Sequence, residues 1–156
     1  MADEFKAPDS HLSPLMEGGC HCGALRYTVQ VMLTDDGKIP VVECNCSICT
    51  QKGFLHLIVP SSQFEFQISP PDVLGTYTFG THVAKHHFCK RCSLGPWYVP
   101  RSNPDGYSIN ARSLDKFRDI GLSHSNLEDY FAIAPFNGQD FDTSIQETPL
   151  AHLSQE

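Results

Sequence analysis

Cys44-Asn45-Cys46-Ser47-Ile48-Cys49 packs three cysteines into six residues, and its reading decides the fold. The other four of the seven cysteines form two pairs, Cys20-His21-Cys22 and Cys89-Lys90-Arg91-Cys92. None lies outside these groups to serve as a small buried hydrophobe, the usual role of a scattered cysteine. Gaps of one and two residues point instead to metal or to disulfides. A disulfide across so short a gap strains the loop it closes, and an odd count leaves one thiol over. Metal explains the arithmetic better. A structural zinc takes four ligands, whereas a catalytic zinc takes three and keeps one position open.

The spacing permits more than one pairing. Cys46 and Cys49 with Cys89 and Cys92 would make a zinc ribbon; Cys20 and Cys22 with Cys89 and Cys92 serve equally well. The second is preferred, because Cys44, Cys46 and Cys49 can then wrap one metal without help. A closed four-thiolate zinc can only stabilise the fold. A three-thiolate zinc is a weak Lewis acid but suits a soft thiolate in its open position. The competing expectation is a second structural zinc closed by His56, His86 or His87.

Outward from the cysteines the chain reads as β-structure. Residues 24–31, 39–43, 54–59, 63–68, 73–79, 83–88, 97–99 and 107–111 alternate or are β-prone, separated by turn residues such as Ser69-Pro70-Pro71-Asp72 and Asn103-Pro104-Asp105-Gly106. Ser113 is expected to cap a short helical turn, and residues 139–156 to hold a weak helix or a tail. A chain of 156 residues predicts one domain. The expected layout is a flexible lead over residues 1–16, a zinc-binding catalytic domain over 17–141, and a tail or short helix over 142–156.

The net charge of −7 argues against nucleic-acid partners and an electrostatic membrane binder. No stretch approaches the length of a membrane span. Met1 to Met16 lacks the apolar core of a signal peptide, so reduced cysteines are expected in the cytosol or nucleus. Oligomeric state is not legible.

These residues resemble the glutathione-dependent formaldehyde-activating enzyme family, which includes centromere protein V. The resemblance runs from about Gly18 to Phe141. It rests on Gly-Cys-His-Cys-Gly at 19–23, Cys-Asn-Cys-Ser-Ile-Cys at 44–49, Phe-Cys-Lys-Arg-Cys at 88–92, Ser-Ile-Asn-Ala-Arg-Ser-Leu-Asp at 108–115 and Phe-Asn-Gly-Gln-Asp-Phe at 136–141. It implies a mainly β, Mss4-like fold, with several short antiparallel sheets around two zinc sites. It implies two Zn²⁺ per chain, a structural one on Cys20, Cys22, Cys89 and Cys92 and a catalytic one on Cys44, Cys46 and Cys49. It also implies carbon–sulfur lyase chemistry on a glutathione adduct of a small carbonyl compound. Ser93 stands where the family usually has glycine, and Gly95-Pro96 follows. That predicts a rebuilt loop and an altered substrate mouth.

His56 is the candidate to reach the open zinc as acid, base or hydrogen-bond partner. His86 and His87 face opposite sides of a strand, so at most one meets a pocket. Trp97 and Tyr98 are core residues or pocket walls. Arg101, Arg112 and Asn110 are candidates for holding a carboxylate. The expected function is a zinc-dependent carbon–sulfur lyase binding glutathione or a related thiol adduct. The rivals are isomerisation, cyclisation or dehydration of a non-thiol metabolite on the same zinc, and a non-catalytic zinc scaffold.

Overall fold

The computed structural model describes residues 11–155. The first ten residues of the expected N-terminal lead lie outside that range. The chain forms two sheets. The smaller joins β1 (Met16–Gly19), β2 (Leu25–Val29) and β5 (Phe64–Ile68), all antiparallel. The larger contains β3 (Ile39–Cys44), β4 (Leu55–Pro60), β6 (Leu74–Tyr77), β7 (Lys85–Cys89), β8 (Trp97–Val99), β9 (Gly106–Asn110) and β10 (Phe131–Phe136). Its order is β10-β3-β4-β9-β8-β7-β6. The expectation of a mainly β fold holds, with one difference in pairing. The β10–β3 pair is parallel, and it sets Phe136 beside Cys44.

Alternation dictates which faces are buried. Leu25, Tyr27 and Val29 of β2 pack on Leu55, Leu57 and Val59 of β4, Trp97 of β8 and Ile109 of β9 in the main core. Trp97 is therefore a core residue, with Phe66 stacked on it at a ring separation of 5.2 Å. A second, smaller core joins Val42, Ile58, Phe136 and Leu150. It lies under the C-terminal segment, where a helix over Phe141–Glu147 is followed by a short 3-10 turn at Ala151–Ser154. The buried Asn103 holds that segment, its amide donating to the Leu150 carbonyl at 2.8 Å and the Ser154 hydroxyl at 2.9 Å.

Three elements are hidden in the sequence. β1 reads as a turn because it ends in two glycines, yet Gly18 is required there: a Cβ would collide with the Tyr27 ring. β10 contains Pro135, which an edge strand tolerates. The third is α1 (Ser47–Lys52), inside the dense cysteine stretch. The helix after Ser113 also starts later than expected. α2 (Asp115–Ile120) has Leu114 at its N-cap. The Ser113 hydroxyl is already committed, donating to the Asn110 carbonyl and meeting the Tyr27 hydroxyl.

Candidate functional site

The cysteines converge into two groups. Cys20, Cys22, Cys89 and Cys92 bring four sulfurs within 4.8 Å of one another, and Cys44, Cys46 and Cys49 bring three. Cys20 and Cys22 lie in the connection between β1 and β2, whereas Cys89 ends β7 and Cys92 lies in the turn beyond it. The four-cysteine group therefore joins the small sheet to the large one. Its sulfurs stand 3.7 Å apart (Cys20–Cys22) and 3.6 Å apart (Cys22–Cys89). Four sulfurs at about 2.3 Å around a tetrahedral zinc would be separated by about 3.8 Å, so the spacing fits that ion. Backbone N–H groups point at the sulfurs, from Leu25 to Cys20 at 3.3 Å and from Arg91 and Cys92 to Cys89 at 3.3 and 3.4 Å. Burial pushes the Cys20 thiol up to about 11, so holding it as thiolate calls for a nearby cation.

Ser93 closes the turn beyond Cys92, its N–H donating to the Cys89 carbonyl at 2.8 Å. Its φ is 69°, in the left-handed region that glycine occupies freely. The serine keeps the turn that a glycine would make. The expected altered mouth is not found: none of residues 93–96 lines the cavity beside the three-cysteine group. Ser93→Gly is expected to stabilise the protein by about 1 kcal/mol, read as a rise of about 2–4 °C in Tm. A fall in Tm would show that the serine side chain compensates for its backbone strain.

The second group is assembled differently. β3 delivers Cys44, Cys46 precedes the first turn of α1, and Cys49 sits on the buried side of that helix. α1 ends at Gly53, whose N–H returns to the Cys49 carbonyl. Asn45 ties the loop to the end of β10. Its backbone N–H donates to the Phe136 carbonyl at 3.3 Å, its side-chain amide donates to the Asn137 side chain at 3.0 Å, and its side-chain Oδ1 accepts from Gln139 N–H at 3.1 Å. That places Gly138 against Cys44 and Cys46 so closely that a Cβ there would collide with the Cys44 sulfur.

Three thiols this close cannot all ionise unaided. Hydrogen bonds from the Cys44 and Cys49 thiols hold Cys46 as the thiolate, down to about 2. The same crowding by Cys44 and Cys46 pushes Cys49 far above the usual thiol range. A divalent cation resolves the conflict, and a soft all-sulfur donor set fits zinc. No histidine joins this group within mutual ligand range among the described residues.

His56 of β4 lies in contact with it. Its Nε2 stands 3.2 Å from the Cys49 sulfur. Its Nδ1 is 3.0 Å from the Ser108 hydroxyl and 3.1 Å from the Tyr98 hydroxyl, both of which can donate. The tautomer protonated at Nε2 would accept at Nδ1 from one of these hydroxyls and point its N–H at the sulfur. Burial pushes His56 down to about 4, which keeps the ring neutral. His86 lies flat on Tyr98 at a ring separation of 4.8 Å, while His87 turns away to Thr76, its Nδ1 2.9 Å from that hydroxyl. The expected division of the two histidines holds.

A cavity of about 590 Å³ opens beside the three sulfurs, within the range of small-molecule sites. His56, His86 and Tyr98 wall it on one side, and Phe136, Phe141 and Leu150 on another. Of the three carboxylate candidates, only Arg101 reaches it. Arg112 lines a separate cleft with Glu43, and the Asn110 side chain accepts from the backbone N–H groups of Arg112 and Leu55. Sequence reasoning missed Gly138, Tyr98's bond to His56 and the walls from the C-terminal segment. The 136–141 motif was the one signal that pointed there.

A mainly β protein with two convergent cysteine groups, one of four sulfurs and one of three facing a cavity, has the makings of a small zinc-binding β-fold. The family described as glutathione-dependent formaldehyde-activating enzyme matches residues 15–130. The chain belongs to that family. It is 29% identical over 112 residues to a Halomonas elongata protein named, provisionally, as a glutathione-dependent formaldehyde-activating enzyme. That match covers 65% of this chain and spans 66% of the relative's length. A crystal structure of a Rhodobacter sphaeroides protein superposes with a TM-score of 0.59 at 29% identity, covering 76% of this chain and all of that one. Among the described residues no helix is long and apolar enough to cross a membrane.

Proposed function

We propose that the chain is a zinc-dependent carbon–sulfur lyase acting on a thiol adduct of a small carbonyl compound, with glutathione as the thiol. The observation that carries this reading is the three-sulfur group facing a large cavity, with no described histidine closing it. On this reading Cys20, Cys22, Cys89 and Cys92 hold a structural zinc, and Cys44, Cys46 and Cys49 a catalytic one. Bound zinc would draw charge from a substrate thiol and favour its thiolate.

The remaining work falls to the chain's own residues. In the forward direction the thiol loses its proton, sulfur bonds to the carbonyl carbon, and the carbonyl oxygen gains a proton. The reverse direction breaks that bond. His56 is a positioning residue: its Nε2–H faces Cys49 and spreads the charge of that sulfur. The Tyr98 phenol, pushed well above its ordinary value by burial and by the nearby cysteine sulfurs, keeps its proton at the cavity wall. With Ser108 as the donor to His56 Nδ1, the phenol is left to share that proton with a substrate oxygen. We place the activity in the cytosol, where the seven thiols stay reduced.

The test is to measure zinc per chain and then follow exchange between glutathione plus formaldehyde and their hemithioacetal by NMR exchange spectroscopy. Two zinc ions and exchange above the uncatalysed rate are expected. Exchange no faster than in buffer would overturn the assignment.

A further inference from the structure

We infer that the cavity selects an anionic ligand and that Arg101 is its carboxylate anchor. This rests on the reading above that the cavity receives the substrate. Arg101 is the one lysine or arginine among the residues lining it, and no aspartate or glutamate lines it. The guanidinium lies over the Phe141 ring, 3.5 Å from its centroid. Stacking on a ring face fixes the plane of an arginine and leaves its N–H edges free to meet a carboxylate side-on. No described carboxylate forms an ion pair with it, although Arg26 has Asp115 and Lys38 has Asp36.

The surroundings hold that geometry. Only Pro100 separates Arg101 and Ser102 from β8, the strand that carries Tyr98. Asn103, the next residue, is fully buried and bonded to the segment that bears Leu150 and Ser154. The loop and the C-terminal wall are therefore fastened together, with Arg101 stacked between them on Phe141. The overall charge of −7 repels anions, so a preference for them has to arise locally. A peptide-like thiol with free carboxylates can set sulfur against the three-cysteine group while a carboxylate meets Arg101. A neutral thiol of the same size has no partner for the guanidinium.

The experiment uses the zinc-loaded full chain and a ligand that cannot undergo the proposed reaction. S-methylglutathione keeps both carboxylates and lacks the free thiol; its diethyl ester lacks the carboxylates. Binding of each is measured by calorimetry to wild type, Arg101→Gln, Arg101→Lys and Lys116→Gln. Lys116 is an exposed residue on α2, outside the cavity. Wild type is expected to prefer the acid over the ester by about tenfold, the scale of one charge-assisted hydrogen bond. Arg101→Gln should bring the two affinities together, Arg101→Lys should restore part of the preference, and Lys116→Gln should keep it whole. No preference in wild type, the same preference in Arg101→Gln, or equal loss in Lys116→Gln would overturn the assignment. Because S-methylglutathione forms no hemithioacetal, this outcome is separate from that of the exchange assay.

Discussion

Cys89→Ser is expected to leave the chain unfolded, whereas Cys46→Ser should fold normally, retain one zinc and lose activity. The asymmetry follows from where each sulfur sits. Cys89 is 0% exposed, belongs to the main core and accepts two backbone N–H groups. Its group joins the two sheets, and few other features fasten the β1–β2 connection to the end of β7. A structural zinc contributes on the order of 10–16 kcal/mol, against a net stability of about 5–15 kcal/mol for a whole domain. Weakening that ion by one ligand can therefore consume the entire margin. Cys46 is only partly buried, belongs to neither buried core cluster and faces the cavity. Its loss should reduce exchange activity by more than about 100-fold, beyond the effect of losing a group that merely supports a metal ligand. Circular dichroism, thermal unfolding and zinc content of the two variants decide the matter. Equal destabilisation would show that both groups are structural.

Gly138→Ala should weaken the zinc site proposed at the three-cysteine group while leaving the fold intact. The added methyl would meet the Cys44 sulfur and crowd the Cys46 Cβ. Gly138 opens a short 3-10 turn with no left-handed φ, so alanine is acceptable to the backbone and the conflict is confined to Cys44 and Cys46. Overpacking of this kind costs about 1–3 kcal/mol, equivalent to roughly 10- to 100-fold in metal affinity. Zinc content should fall toward one per chain on challenge with a moderate chelator, with unchanged far-UV dichroism. Retention of both ions would mean that the 137–139 loop yields, and that Asn45 does not hold it against the cysteines.

The cysteine spacing carried most of what the sequence could say about the centre. Short gaps are local, so Cys44, Cys46 and Cys49 are legible as one unit. Cys22 and Cys89 are 67 residues apart, and nothing local distinguishes their pairing from a ribbon built on Cys46 and Cys49. The strands with clean alternation, such as Leu25–Val29 and Leu55–Pro60, are readable because one face meets the core. β10 is not, since its partner lies 92 residues earlier and Pro135 masks its character. The same distance hides the approach of Gly138 to Cys44. Ser93 misled in an instructive way. A missing glycine suggested a new loop, but the turn's hydrogen bond to Cys89 holds a serine in glycine's conformation.

The buried clasp of Asn103 reaches from inside the family match, which covers residues 15–130, to Leu150 and Ser154 beyond it. All seven sulfurs lie within that match, and Phe141 and Leu150 lie after it. The cavity is thus walled partly from within the matched stretch, by His56, His86, Tyr98 and Arg101, and partly from beyond it, by Phe136, Phe141 and Leu150. Substitutions at Phe141 or Leu150 would reshape that wall without altering a single sulfur.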